Sequence, residues 1–209
     1  SWNTSAVTNM EAVFAGASSF NQELSNWDTS AVTTMSGMFA RASSFNPKDL
    51  TKWDTSAVTT MYVMFEQASS FDGNISSWNT SAVTDMSFMF STASSFNQED
   101  LSNWDTSAVI NMKCMFQGAS AFKGNVSSWN TSAVTDMSWM FFQASSFNQQ
   151  ALSMWDTSAV SDMRNMFYGA SSFNQDLCAW KDNFPYNNAD GIFEGSGCTF
   201  QSTPQIDQQ

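Results

Sequence analysis

Histidine is absent from this chain, and basic residues are scarce: 7 lysines and arginines stand against 19 acids, a formal charge of −12 over 209 residues. Without histidine no Ser-His or Cys-His pair can activate a nucleophile. The acids fall mostly at variable turn positions and form no unique convergent pair, so general acid–base work by two carboxylates finds no support. We therefore expect no enzyme, no catalytic residue and no cofactor. So small a basic inventory also excludes the lysine and arginine footprint that phosphate backbones require, and with it nucleic acid. No run of about 18 apolar residues occurs, so no direct membrane insertion is expected. The first residues already belong to a repeat and do not read as a signal peptide.

What fills the chain is one unit used again and again. Tryptophan recurs at Trp2, Trp27, Trp53, Trp78, Trp104, Trp129, Trp155 and Trp180, with spacings that alternate between a shorter step and one longer by a single residue. The extra residue always falls between the second Phe and the next aliphatic: Phe45 to Leu50 is five apart, whereas Phe71 to Ile75 is four. The ancestral duplication is thus a 51-residue pair of coils. A unit this short cannot bury a core alone, so neighbouring coils must stack into one elongated domain. We expect seven coils over residues 1–177 and a C-terminal cap with its tail over 178–209. Cys178 and Cys198 flank this non-repetitive end, where a disulfide would staple a region with little core and imply an oxidising compartment. The first coil opens at residues 1–2 with no polar cap before it, which suggests a fragment of a longer array or end-to-end self-association at that face.

Within a coil, Met61, Met64, Phe65 and Ala68 fall at i, i+3, i+4 and i+7, the helical period, so a short helix is expected there, capped by Thr59 or Thr60. Upstream, the small residues of "TSAV" are β-compatible, and period 2 would point Ser56 and Val58 one way and Thr55, Ala57 and Thr59 the other. This predicts a right-handed, leucine-rich-repeat-like α/β solenoid, with short parallel strands on one face and short helices on another. The segment "ASSF" supplies turn hydroxyls, and Phe71, Ile75 and Trp78 then close the coil.

The recurring "MFxxASSFNQ-LSxWDTSAVTxM" resembles the bacterial surface-protein repeat of BspA-like and related lipoprotein families, which secreted algal proteins also share. The end "LCAWKDNFPYNNADGIFEGSGCTF" resembles the cysteine-flanked cap of some members. The resemblance implies a leucine-rich-repeat-like solenoid, a secreted or cell-surface location and an adhesive role, with no catalytic motif. Departures are few: Val13 replaces a Met, Ile110 and Ser161 replace a Thr, and Ala121 replaces a Ser.

Several positions invite a chemical reading. Asp28, Asp54, Asp105 and Asp156 share one coil position and have the oxygen chemistry of calcium ligands, but Asn3, Asn79 and Asn130 stand there in other coils and no calcium loop surrounds them. Local bonding to a backbone amide two residues on is the simpler account, and no metal is expected. Of the Asn-x-Ser/Thr sequons, Asn74 and Asn125 read as the better glycosylation acceptors, because Asn3, Asn79 and Asn130 occupy that same backbone-bonding position. Thr4, Thr29, Thr55, Thr80, Thr106, Thr131 and Thr157 form one rank, and Thr8, Thr33, Thr59, Thr84 and Thr135 a second, broken at Ile110 and Ser161. If both ranks face outward, at the ~4.8 Å spacing of strands, they present the flat hydroxyl-and-methyl face of an ice-binding protein. Tandem Trp and Met read as stacked core. Tyr62, Phe88, Trp139, Phe142 and Tyr168 stand instead at variable positions and are the candidate partner surface. Cys114, in mid-array, reads as a partly buried inert thiol.

Charged residues make up only 12% of the chain, and the abundant Ser, Thr, Asn and Gln give a hydroxyl-and-amide surface typical of secreted adhesins. The sequence thus points to a non-enzymatic recognition or adhesion module, secreted or at the cell surface, that offers a repetitive face to a protein or a glycan. Ice binding and a filament or spacer subunit are the alternatives.

Overall fold

The structure, a computed structural model, describes residues 2–199, 201, 202 and 204. Successive repeats lie directly on one another. The stacking is written in the backbone: the N–H groups of Met61, Val63, Phe65 and Gln67 donate to the carbonyls of Asp85, Ser87, Met89 and Ser91 one coil on. The pattern recurs at every coil boundary, from Met10 donating to Thr34 through to Met163 donating to Asn188. Parallel bridges run up the stack through Asn9, Thr34, Thr60, Asp85, Asn111, Asp136 and Asp162, with two more at Asp49–Asn74 and Asp100–Asn125.

Apart from Trp2 and Val13 of the first coil, which are exposed, the apolar residues expected inside are buried or half-buried. Met61, Met64, Phe65, Ala68, Phe71 and Ile75 are all inaccessible to solvent, as are their counterparts in the neighbouring coils. Each type forms a column along the stack. Phe39, Phe65, Phe90, Phe116, Phe141 and Phe167 lie ring over ring at 5.5–5.6 Å. Each Phe also stacks on the second Phe of its own coil, Phe65 on Phe71 at 3.8 Å. The indole N–H groups stitch the coils: Trp53 donates to the Leu24 carbonyl and Trp78 to that of Leu50, both at 3.0 Å.

The short helices are not there. Among the described residues the helical elements are three 3-10 segments, Leu152–Met154, Cys178–Asn183 and Tyr186–Asn188, all outside the Met-x-x-Met-Phe stretch. That stretch is a run of tight turns, in which Met64 donates to Met61, Glu66 to Val63 and Ala68 to Phe65. Two columns of residues, one member of each per coil, have positive φ: Ala12, Gly37, Val63, Phe88, Cys114, Trp139, Asn165 and Gly191 in one, and Gly16, Arg41, Gln67, Thr92, Gly118, Gln143, Gly169 and Gly195 in the other, with Ala151 a further one outside both. Each left-handed residue reverses the curl that a helix would continue. A helix would also satisfy its own amides, whereas here every second N–H is turned toward the next coil.

No extended strand is assigned among the described residues either. "TSAV" is a turn in which Val58 donates to the Thr55 carbonyl at 3.0 Å. Thr55 and Val58, three apart, both point inward, while Ser56 and Thr59 are exposed.

The alternation of shorter and longer coils is visible in the packing. Trp53 stacks on Trp78 at 6.0 Å and Trp104 on Trp129 at 6.1 Å, in both cases across the shorter coil. After two of the three longer coils a carbonyl of that coil lies close against a glycine of the next, while Gln175 stands at that place after the third. A Cβ at Gly73 would sit 2.6 Å from the Pro47 oxygen, and one at Gly124 2.3 Å from that of Gln98. Only glycine admits that approach.

The C-terminal region departs from expectation in two ways. Residues 188–196 continue the stack in register as an eighth, reduced coil: Asn165 donates to Asp190, Phe167 to Ile192 and Gly169 to Glu194, and Phe193 lies on Phe167 at 5.9 Å. The Cys178–Cys198 disulfide is not formed; both are free thiols. The Cys198 thiol donates to the Phe173 carbonyl at 3.4 Å, while the Cys178 amide is held by Asp176 at 2.9 Å, so backbone register rather than a covalent staple anchors this end. Of the expected cap, residues 200, 203 and 205–209 lie outside the described residues.

Candidate functional site

The two threonine ranks part company. Thr4, Thr29, Thr55, Thr80, Thr106, Thr131 and Thr157 are buried. The hydroxyls of Thr29, Thr55, Thr80, Thr106 and Thr131 donate to the carbonyls of Asp54, Asn79, Asp105, Asn130 and Asp156 in the next coil at 2.8–2.9 Å. This corrects the two-rank ice-binding face: the turn at Ser-Ala brings the first rank into the wall of the core. Thr8, Thr33, Thr59, Thr84 and Thr135 are exposed. The hydroxyls of Thr33, Thr59 and Thr84 are engaged with the preceding coil at 3.1–3.2 Å.

At the Asp/Asn position each side chain closes a local turn. Asp28, Asp54 and Asp105 accept the backbone N–H of the serine two residues on, at 3.0–3.1 Å, and its hydroxyl at 2.6 Å. These bonds, first the hydroxyl and then the amide, hold the three carboxyls below the ordinary value of 3.8, against a smaller opposing effect of desolvation. Asn74 and Asn125 do not escape this geometry. Their Oδ1 atoms accept from Ser76 and Ser127 in the same way, at 2.8–3.1 Å, so the distinction drawn between them and Asn3, Asn79 and Asn130 does not hold. The Cys114 thiol is buried, and burial pushes it up to about 12, out of the range of a reactive thiolate.

The five unit-specific aromatics form two patches, not one. Tyr62 meets the edge of Phe88 at 6.1 Å. Two coils further on, Trp139 lies 4.9 Å from Phe142, which stacks on Tyr168 at 5.0 Å with 15° between the rings. The intervening coil carries Lys113, Cys114 and Gln117 at the matching places. Phe88 and Trp139 occupy the positive-φ column, at 57° and 62°, off the columns of the core. Phe142 and Tyr168 stand where other coils have Ala15 or Ala40. All three rings of the larger patch are half-buried, each leaving part of its surface to solvent.

A family model described as "Mycoplasma protein of unknown function, DUF285" matches residues 1–102 and again residues 95–205. The chain belongs to this family. No curated protein and no solved structure matches it. The first DUF285 match spans 102 residues, two of the 51-residue pairs read from the tryptophan spacing, and the second takes in the reduced coil as well. This DUF285 chain is therefore a repeat protein whose columns continue into its C-terminal region.

Sequence reading missed one feature of this end. A cavity of about 620 Å³ opens there, with Trp180, Phe184, Tyr186 and Phe193 among its lining residues. The signal was available in "AWKDNFPYNN", which adds aromatics where no repeat position calls for them.

Proposed function

We propose that the stacked DUF285 coils form a leucine-rich-repeat-like solenoid that acts as a non-enzymatic recognition module, secreted or displayed at the cell surface, for a protein or glycan ligand. The observation that carries this reading is the contiguous patch of Trp139, Phe142 and Tyr168 on two successive coils. Positions that elsewhere hold small or polar side chains here hold three packed rings. Such partly exposed aromatics are the side chains that anchor interfaces, combining large apolar area with little conformational entropy to lose. The hydroxyl-and-amide surface around them supports an extracellular setting, as does the resemblance to BspA-like surface repeats.

The test is a glycan array and a pull-down against surface extracts with the intact chain and with Trp139→Ala and Tyr168→Ala. Loss of the hit in both variants, at an unchanged melting temperature, supports the reading. A hit indifferent to both substitutions overturns it.

A further inference from the structure

We propose that the C-terminal cavity is a binding site for an organic ammonium ion, a methylated or quaternary ammonium carried on an alkyl or aryl group. The inference stands apart from the aromatic patch on the flank and does not depend on it.

The cavity lies where, among the described residues, the columns of the core end unequally. The reduced eighth coil retains Ile192 and Phe193 on the stack, but six residues after Phe193, where Phe173 follows Phe167, stands Thr199. Among the described residues the second-Phe column therefore stops at Phe173. The 3-10 segments Cys178–Asn183 and Tyr186–Asn188 and the turn between them wall the cavity with rings instead of filling it. Phe184 and Tyr186 stand edge to face, 5.0 Å apart at 70°, as two adjoining walls of a box would. Phe193 supplies further ring surface to the same cavity, and the almost fully buried Trp180 borders it.

Each aromatic face turned toward the cavity is the negative side of a ring quadrupole. A weakly hydrated cation within about 6 Å of the ring faces gains from each of them. Neutral apolar ligands gain burial only. The volume of about 620 Å³ suits a small molecule.

Charge favours the same choice. Asp176 lies on the cavity wall. Hydrogen bonds from Cys178 hold its carboxyl below the ordinary value, so it stays ionised at neutral pH. The molecule as a whole, at −12, attracts cations and repels anions. Lys181 also lies on the wall and opposes a cation, but its side chain is exposed and free to extend into water. The balance of these two charges gives the proposal a sign that can be tested.

The probe is benzyltrimethylammonium, titrated into the full chain by calorimetry and by ligand-observed NMR, with (2,2-dimethylpropyl)benzene as its neutral isostere. The expected result is saturable binding of the cation, with the isostere at least about tenfold weaker. Phe184→Leu keeps apolar volume but removes a ring face, and should weaken the cation by about tenfold while leaving the isostere nearly unchanged. Asp176→Asn, which keeps the oxygen that accepts the Cys178 amide, should weaken it several-fold, and Lys181→Gln should tighten it about two- to threefold. Lys181→Gln is a surface change that keeps the test readable if Phe184→Leu does not fold. Equal binding of cation and isostere would reduce the site to a plain apolar cavity and overturn the proposal. Absence of saturable cation binding would overturn it as well, and so would weakening by Lys181→Gln together with tightening by Asp176→Asn.

Discussion

Thr80 and Thr84 stand four residues apart in one coil, yet their hydroxyls do different work. Thr80 is buried and donates to Asp105 across the coil boundary at 2.8 Å, whereas Thr84 is exposed and its weaker bond to Thr59, at 3.2 Å, competes with water. Thr80→Val leaves a carbonyl without its partner inside the wall and is expected to cost about 1–3 kcal/mol in urea unfolding. Thr84→Val should stay within about 0.5 kcal/mol. Equal effects would mean that the first rank is not internal. Backbone conformation supplies a second residue-scale contrast. Val63 is β-branched and has a φ of 49°, a strained combination, at a column position that Gly37 fills without strain. Val63→Gly should therefore stabilise the chain by about 1 kcal/mol. Gly124→Ala should do the reverse, by about 1–3 kcal/mol, because its Cβ would meet the Gln98 oxygen at 2.3 Å. Both are read from the urea midpoint at constant slope.

At the scale of one coil, the element is a chain of turns, two of them closed by a side chain from just upstream, as by Asp54 at Ser56 and Thr60 at Tyr62. Helical periodicity named the inward residues correctly, because consecutive turns of three and four residues bring the same positions to one side. It named the backbone wrongly, because periodicity reports direction and not which amide pairs with which carbonyl. The turns also carry a pH dependence. Asp28, Asp54, Asp105 and Asp156 all have carboxyls lowered by hydrogen bonds from the serine two residues on. A carboxyl lowered in the folded state stabilises it above the unfolded value and loses that contribution as pH falls through the folded one. The melting temperature should thus hold steady from pH 7 to about 5 and fall below about 4, where these groups begin to protonate. Replacing all four by Asn, the residue that Asn3, Asn79 and Asn130 already place there, should make the acid-side fall shallower. An unchanged slope below pH 4 would show that these turns are not the source.

Over the whole molecule, stability is a sum over coil boundaries, since each coil touches only its neighbours. Removing residues 78–128, one 51-residue pair, would bring Trp129 directly after Ser77 and leave the alternation of coil lengths intact. The shortened chain should fold, unfold at lower urea and scatter X-rays as a correspondingly shorter particle. Removing a single coil instead, from Trp78 through Asn103, would break the alternation that sets Gly124 under the preceding carbonyl, and should cost more per residue removed. In mid-stack, Phe90→Ala interrupts a ring column that touches Phe65, Phe96 and Phe116, at an expected cost of about 3–5 kcal/mol.

The sequence by itself determined the period, its 51-residue double step and the identity of every core column. Tandem copies must bury the same side chains, so tryptophan spacing and the Met-x-x-Met-Phe pattern could be read without coordinates. Only the tertiary structure decided where the amides point, and three consequences followed that no single coil encodes. The first threonine rank turned inward because its partner carbonyl belongs to the next coil. The helix gave way to left-handed turns because neighbouring coils compete for its hydrogen bonds. The cavity beside Trp180 lies where, among the described residues, a column of rings ends one coil before the backbone ladder does. Local pattern fixes which side chains are apolar and in what order; the pairing of polar groups between segments a full coil apart is a property of the stack.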